Sequence, residues 1–259
     1  MINNLIMRKP LILVTNDDGI TAPGLRTLIH IMNSIGEVVV VAPDSPQSGM
    51  GHAITISDTL YCKREKIDDG PQKEYSISGT PADCVKFAIR EILQKKPDLC
   101  VSGINHGANS SINVIYSGTM SAAVEAGIEG IKSIGFSLLD YSWNASFKSC
   151  EDYVKKICLY VLNNKSKLIL NVNFPSKIKH YKGVKVCRQA KGYWQDNYDK
   201  RISPLGKEYY WLSGNFINQD DSEETDEWAL ENGYVSVVPI NYDMTSYEDL
   251  VELKNSKLD

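Results

Sequence analysis

Residues 11–20 read LILVTNDDGI and join a short apolar run to a polar, glycine-containing end. The run Leu11–Thr15 is short and uncharged, which predicts a strand that is buried on both faces. Asn16 and the acidic pair, Asp17 and Asp18, follow directly at the carboxyl end of that strand. Neighbouring carboxylates offer the hard oxygen ligands that divalent cations prefer, although Asp-Gly is also common in plain turns. Other oxygen ligands must reach the pair before it can be interpreted as a cation site.

Strand and helix patterns alternate along the first two thirds of the chain. Apolar runs predict buried strands, and apolar residues spaced three or four apart predict the helices between them. The predicted strands cover residues 37–42, 75–78, 98–102, 133–138 and 168–172, and the helices begin near Pro23, Thr80, Ser117 and Glu151. Such alternation predicts an α/β fold, with a mostly parallel sheet covered by helices on both faces.

The sequence texture changes after about residue 180. Aromatic residues between positions 193 and 228 are spread among polar residues and glycines, and strands are predicted at residues 183–189, 208–212 and 234–240. One interpretation is an antiparallel extension with ordinary aromatic packing. The other is an arm that joins subunits, because exposed aromatic residues favour interfaces.

The composition excludes several classes of protein. The chain has 259 residues, of which 42% are hydrophobic and 23% are charged, and its net charge of −4 gives no sign of a nucleic-acid-binding surface. No apolar run approaches the roughly 18 residues of a membrane span, and residues 1–10 lack the pattern of a signal peptide. The six cysteines form no Cys-x-x-Cys pair, so reduced thiols and a cytoplasmic location are expected.

Two further polar loops follow predicted strands. Residues 42–52 read APDSPQSGMGH, and residues 103–109 read GINHGAN. Because the carboxyl ends of parallel strands open on one edge of a sheet, both loops should approach the acidic pair. Their hydroxyl and amide oxygens, together with the two carboxylates, favour magnesium, manganese or calcium over zinc. His52 and His106 lie in these loops, where an imidazole could contact substrate or transfer a proton.

A predicted helix begins at Ser117 or Gly118, shortly after the third loop. Its first backbone N–H groups and positive dipole end form an anion site, to which the hydroxyls of Ser117 and Thr119 could add. The simpler alternative is an ordinary serine cap. A cation site that faces a helix N-terminus suits a phosphate monoester, because the metal polarises the phosphoryl group and lowers the pKa of a bound water.

The sequence lacks the motifs of other phosphate-handling classes. There is no GxxxxGK[ST] loop, and no GxGxxG follows the first strand. A phosphoryl-accepting signalling module also carries paired acids after its first strand, but residues 102–105 offer no acceptor aspartate at the comparable strand tip. A phosphatase of the haloacid-dehalogenase type needs Asp-x-Asp, which residues 16–18 do not supply. The signalling module therefore stands as the alternative to a metal-dependent phosphatase.

These segments together closely resemble the SurE (stationary-phase survival) family of nucleotidases. The matching stretches run in order along nearly the whole chain: residues 13–20, 22–24, 42–44, 47–49, 78–85, 97–109, 116–119 and 233–240. The resemblance implies a Rossmann-like, three-layer fold in one domain over residues 1–259, with a core at about 8–180. It also implies a β-rich extension and C-terminal helix at about 181–259, and homodimers or homotetramers that exchange these C-terminal arms.

The resemblance further implies a divalent-metal-dependent phosphatase that acts on nucleoside 5′-monophosphates, and in some members on 3′-nucleotides and short polyphosphate. Neither a nucleic-acid polymer nor a membrane is expected as a partner. Matching positions assign one Mg²⁺ or Mn²⁺ per subunit to Asp17, Asp18, Ser48 and Asn105. Asp17, Asp18 and Asn105 are also the expected catalytic residues. The expected phosphate and substrate contacts are Asn16, Gly49, Asn109, Ser117, Gly118 and Thr119.

Overall fold

A computed structural model of the chain describes residues 8–178 and 180–256. The expectation that residues 1–10 lack a signal peptide therefore falls mostly on residues outside this description. The strands are β1 (Leu11–Thr15), β2 (Glu37–Pro43), β3 (Cys62–Glu65), β4 (Lys73–Ile77), β5 (Leu99–His106), β6 (Ser133–Leu138), β7 (Ile169–Phe174), β8 (Val184–Val186), β9 (Gly192–Ile202), β10 (Glu208–Asn218) and β11 (Val235–Pro239). The α-helices are α1 (Pro23–Asn33), α2 (Pro81–Phe87), α3 (Asn113–Tyr116), α4 (Gly118–Ile128), α5 (Glu151–Asn163), α6 (Asp226–Glu231) and α7 (Tyr247–Asn255). In the described residues, none of the helices is long and apolar enough to cross a membrane.

The main sheet is mostly parallel, which confirms the predicted fold class. Its order within the described residues is β3-β4-β2-β1-β5-β6-β7-β11-β8. The pairs from β4 to β7 are all parallel, whereas β3 pairs antiparallel with β4, and β11 pairs antiparallel with β7. Strand β3 was not predicted, because its sequence Cys-Lys-Arg-Glu lies at an exposed sheet edge and has no apolar pattern.

Helices cover both faces of the sheet and give it three layers. All of β1 is buried, and its successive side chains point to opposite faces. Ile12 and Val14 pack into the core formed with α1 and α5, whereas Leu11 and Leu13 pack into the core formed with α2 and α4. Each such side chain contributes roughly 1.5–3 kcal/mol by leaving water. The first strand therefore holds both halves of the core together.

The chain after residue 180 divides between the main sheet and a separate hairpin. Strand β11 joins the sheet between β7 and β8, while β9 and β10 pair with each other as a two-stranded antiparallel sheet. Most side chains of this hairpin are exposed. Strand β9 was not predicted, because residues 195–201, QDNYDKR, break the apolar alternation. The domain limit near residue 180 stays a prediction.

The order of the strands reverses beside β1. The chain runs from β1 to β2 on one side, and later returns through α2 to place β5 on the other side of β1. Ligands of open parallel sheets bind in the crevice that forms outside the strand ends at such a point. The loops that follow β1 and β5 flank this crevice, so the acidic pair lies where the topology favours a site.

Candidate active site

The first turn of α4 holds Asp17 at the tip of β1. Asp17 is only 4% exposed, and its Oδ1 accepts a hydrogen bond from the hydroxyl of Thr119. Gly118 packs so closely that a Cβ atom there would lie 2.7 Å from the Cβ of Asp17. Helix α4 begins at this point because Ser117 caps it, with its hydroxyl oxygen accepting a hydrogen bond from the N–H of Met120 at 3.0 Å. The structure thus brings the predicted helix start to the acidic pair.

The second acid, Asp18, faces the tip of β5. Its Oδ2 accepts a hydrogen bond from the backbone N–H of His106 at 3.3 Å. Asn105 donates its Nδ2 to the carbonyl of Gly107 at 2.8 Å, which leaves the Oδ1 of its amide as the atom suited to a cation. Gly107 has a φ of +109°, a conformation that glycine adopts without strain as the chain leaves the strand. The polar ends of β1 and β5 are therefore joined directly.

The loop after β2 reaches the same edge through its backbone. The N–H of Gln47 donates to the carbonyl of Asp17 at 2.7 Å, and the N–H of Gly51 donates to the carbonyl of Tyr116 at 3.1 Å. The predicted ligand Ser48 and substrate contact Gly49 lie between these two anchors and are exposed. All three strand-end loops thus converge beside the acidic pair.

The two carboxylates are costly to ionise together. Burial, followed by the charge of Asp18, raises the pKa of Asp17 to about 7, although hydrogen bonds from Thr119 lower it. Burial also raises the pKa of Asp18, while the N–H and the charge of His106 lower it. Within residues 8–178 and 180–256, no Lys or Arg forms an ion pair with either acid. Among the described residues, no Lys or Arg charge therefore favours ionisation of both acids together.

The donor chemistry fits a hard divalent cation. Besides the two acids, Asn16 contributes a buried Oδ1 that has no hydrogen-bond partner among the described residues. The described chain contains no group of three or more His, Cys, Asp and Glu side chains placed to hold a metal. A cation at the acidic pair therefore depends on amide and hydroxyl oxygens as well, a donor set that suits Mg²⁺ or Mn²⁺ better than Zn²⁺.

Asn109 is engaged in a buried network behind the site. Its Nδ2 donates to the hydroxyl of Ser137 at 2.8 Å, and its backbone N–H donates to Oδ1 of Asn173 at 2.8 Å. Its carbonyl accepts a hydrogen bond from Nδ2 of Asn171 at 2.7 Å. These bonds fix the loop that leads into α3. The substrate contact expected at Asn109 stays a prediction, and its amide nitrogen already has an acceptor.

His52 belongs to an ion pair and lies away from the acidic pair. Its Nε2 lies 2.9 Å from a carboxylate oxygen of Glu125, whose other oxygen binds Lys86 at 2.9 Å. Glu125 is about two turns along α4 from Gly118, which packs against Asp17. The arrangement gives His52 a role in joining its loop to α4.

The loop after β6 supplies aromatic residues that sequence analysis missed. The ring of His106 stacks on Trp143 at a centroid distance of 5.4 Å, and its Nδ1 lies 2.8 Å from the carbonyl of Ser142. Tyr141 lies against Gly107, where a Cβ atom would come within 2.5 Å of the Tyr141 ring. The available signal was a predicted strand ending near residue 138, followed closely by two aromatic residues at the same edge of the sheet.

Comparisons with known proteins point to one family. The model of the family "Survival protein SurE" matches residues 12–196. The 5′-nucleotidase SurE of Flavobacterium johnsoniae is 64% identical over 253 residues, which are 96% of this chain and 98% of that protein. The 5′-nucleotidase SurE of Bacteroides fragilis is 45% identical over 254 residues, which are 97% of this chain and 99% of that protein.

A solved structure agrees with these matches. The crystal structure of the SurE protein from Aquifex aeolicus superposes with a TM-score of 0.80 at 41% identity, covering 95% of this chain and 98% of that one. Sequence and fold thus agree over nearly the full length, including the strand-end loops that hold the acidic pair. The chain belongs to the SurE family.

Proposed function

We propose that this chain is a phosphatase that hydrolyses nucleoside 5′-monophosphates to nucleoside and phosphate. The observation that carries the proposal is the buried acidic pair at the switch point of the sheet, against the first turn of α4. The relatives named 5′-nucleotidase SurE support it, because they match nearly the whole chain. Hydrolysis of 3′-nucleotides and short polyphosphate belongs to the same proposal, as does a location in the cytoplasm.

A divalent cation, Mg²⁺ or Mn²⁺, is part of this proposal. Asp17, Asp18, Ser48 and Asn105 would hold one cation per subunit. Such a cation polarises the phosphoryl group and lowers the pKa of water when it is bound. The buried carboxylate of Asp17 and the buried Oδ1 of Asn16, which has no hydrogen-bond partner among the described residues, support the assignment, because both offer the oxygen donors that a hard cation binds.

The other roles in the reaction are assigned to side chains and backbone groups of this chain. The hydrogen bonds from Thr119 fix the Asp17 carboxylate, so Asp17 acts as a rigid ligand. Asp18 is half-buried, and its Oδ2 is held by the N–H of His106. Its Oδ1 would accept a proton from the attacking water as the new P–O bond forms, and would return a proton to the nucleoside oxygen as the ester P–O bond breaks. The hydroxyl of Ser117 and the N–H of Gly118 would hold the phosphoryl oxygens, since preorganised donors stabilise the charge that develops there.

A phosphate-release panel tests the proposal. Protein treated with EDTA would receive Mg²⁺, Mn²⁺, Zn²⁺ or Ca²⁺, each with AMP, GMP, 3′-AMP or short polyphosphate. We expect release from the 5′-nucleotides with Mg²⁺ or Mn²⁺, loss of most activity in Asn105→Ala, and full activity in the control His52→Gln. A preparation that releases no phosphate under any condition would refute the proposal. A stable phosphoryl adduct in the intact mass after incubation with acetyl phosphate would favour the signalling module instead.

We also propose that the hairpin formed by β9 and β10 joins subunits into a homodimer or homotetramer. Leu205 at the hairpin tip is 87% exposed and Trp211 is 65% exposed, and such apolar surface favours an interface. Light scattering of the wild type and of the double variant Leu205→Ser, Trp211→Ser measures this directly. The wild type should have the mass of a dimer or tetramer and the variant a smaller one. Equal masses would remove the hairpin from the interface.

A further inference from the structure

A cavity of about 560 Å³ lies between the hairpin and the core. Its walls include Gly49 from the loop after β2 and Tyr116 at the end of α3. Trp194, Asp196 and Leu212 of the hairpin close the other side. These five residues are called the hairpin pocket below. The sequence did not predict this pocket, because it gives no sign that β9 and β10 fold back towards the loop after β2.

The hairpin pocket adjoins the acidic pair. Tyr116 precedes Ser117, the cap of α4, and lies two residues before Gly118, which packs on Asp17. Two residues span at most roughly 7 Å of chain. Gly49 belongs to the loop that is anchored beside the same acids. The pocket is therefore within reach of a molecule whose phosphate lies at the acidic pair.

The aromatic walls suit a flat, uncharged ring. Trp194 is held in place, because its Nε1 donates to Oδ1 of Asn113 at 2.8 Å and its ring meets Phe216 edge-on at 6.0 Å between centroids. It is nevertheless 38% exposed, and Tyr116 is 54% exposed. Fixed, accessible aromatic faces bind nucleobases by stacking, whichever base is present.

The carboxylate of Asp196 narrows the choice of occupant. A negative charge in the pocket repels a phosphate group, so the part of a nucleotide that enters it is an uncharged one. An ionised carboxylate accepts hydrogen bonds and donates none. It therefore complements the N–H groups of a base, and most of all guanine, whose ring N–H and amino group are adjacent donors.

We propose that the hairpin pocket binds the purine base of a nucleoside monophosphate whose phosphate lies at the acidic pair. Trp194 and Tyr116 supply the stacking faces, and Asp196 accepts hydrogen bonds from the base. This inference rests on the proposed function and deepens it, because it names the element that selects nucleotides among phosphate monoesters.

Kinetic measurements on substrates with and without a nucleobase test the inference. kcat/KM would be measured for GMP, AMP and ribose 5-phosphate, the last of which has no base. We expect the wild type to prefer GMP to ribose 5-phosphate. Trp194→Ala should raise KM for GMP about tenfold or more and leave kcat/KM for ribose 5-phosphate unchanged. Asp196→Asn should lower the ratio of GMP to AMP turnover, again without effect on ribose 5-phosphate.

Tyr193→Ala is the matched control, because Tyr193 neighbours Trp194 in β9 but points to the opposite face of the hairpin. Tyr193→Ala should leave kcat/KM unchanged for all three substrates. Equal losses for GMP and ribose 5-phosphate in Trp194→Ala would overturn the inference, since they would indicate a structural defect. A loss specific to GMP in Tyr141→Ala, with none in Trp194→Ala, would also overturn it and place the base at the loop after β6.

A binding measurement distinguishes a failure of this inference from a failure of the proposed function. Titration of GMP with Mg²⁺ should quench the fluorescence of the wild type, and Trp194→Phe should remove most of that change. If the quench occurs as expected but no phosphate is released, the pocket stands and the proposed function fails. If phosphate is released but Trp194→Phe is quenched like the wild type, the pocket fails and the proposed function stands.

Discussion

Replacing Asp17 by Asn should separate stability from activity. Asn is similar in shape to Asp, and its Oδ1 can still accept the hydrogen bond from Thr119. The pKa of Asp17 is raised from its ordinary value of 3.8 to about 7, so the folded chain holds this proton more tightly than the unfolded chain. The free energy of unfolding of the metal-free protein therefore falls as pH rises from about 4 to 7, and stays reduced above pH 7.

The size of the effect follows from that difference in pKa. A difference of about 3, at about 1.4 kcal/mol for each pKa unit, makes the ionised Asp17 cost about 4 kcal/mol at pH 8. This is an upper limit for Asp17→Asn, because the amide is also buried and polar. With about 2–4 °C per kcal/mol for a chain of this length, Tm of the metal-free variant should rise by up to roughly 8–16 °C.

Thermal unfolding at pH 8 in EDTA, and again with Mg²⁺, measures both halves of this prediction. The wild type should gain stability on adding Mg²⁺, whereas Asp17→Asn should gain little and should hydrolyse AMP poorly. The matched control is Asp226→Asn, since both oxygens of Asp226 accept backbone N–H groups, from Ser111 and Ala190, at 2.8 Å. That variant leaves one backbone N–H facing an amide NH₂, so its free energy of unfolding should fall by about 1–3 kcal/mol. An Asp17→Asn protein that melts below the wild type in EDTA, or keeps wild-type turnover, would refute the reasoning.

Two further changes test neighbouring contacts. Gly118→Ala places a methyl group 2.7 Å from the Cβ of Asp17, so overpacking should lower the free energy of unfolding by about 1–3 kcal/mol and reduce kcat at least tenfold. Urea unfolding and AMP hydrolysis measure the two effects, and a wild-type kcat would contradict the packing of Gly118 on Asp17. Glu125→Gln removes the charged partner of His52 and Lys86, whose contacts lower the pKa of Glu125 from its ordinary value of 4.5. The free energy of unfolding should therefore fall at pH 7 and fall less at pH 4, where the unfolded chain binds a proton at Glu125 and the ion pairs contribute less. Urea midpoints at the two pH values measure this, and an equal loss at both would mean that charge is not the cause.

Local patterns along the chain were sufficient to predict the parallel core. The strand before the acidic pair is buried at every position and apolar up to Thr15, because both of its faces are covered, and such a run is visible in sequence. The start of α4 was predicted to within one residue, because Ser117 caps it and the helical pattern follows. The edge strand β3 was missed, because an exposed edge imposes no apolar pattern.

Contacts between distant parts of the chain could not be predicted in this way. The hydrogen bond from Thr119 to Asp17 crosses 102 residues, and it changes how the helix start is understood. The hydroxyl and N–H of Thr119 stabilise the Asp17 carboxylate, and the phosphate contacts expected at Ser117, Gly118 and Thr119 stay predictions. The hairpin is a second case, because its polar sequence hides the inward direction of Trp194.

The two acids of the pair belong to different parts of the fold although they are neighbours in sequence. Successive side chains at a strand end diverge, so Asp17 meets helix α4 and Asp18 meets the tip of β5. A cation that binds both acids must therefore connect the helix layer to the sheet across the switch point. Such a ligand binds the folded state and not the unfolded chain, so its binding free energy adds to the free energy of unfolding. The repulsion that destabilises the metal-free pair is thus the same feature that makes this edge of the sheet selective for a cation.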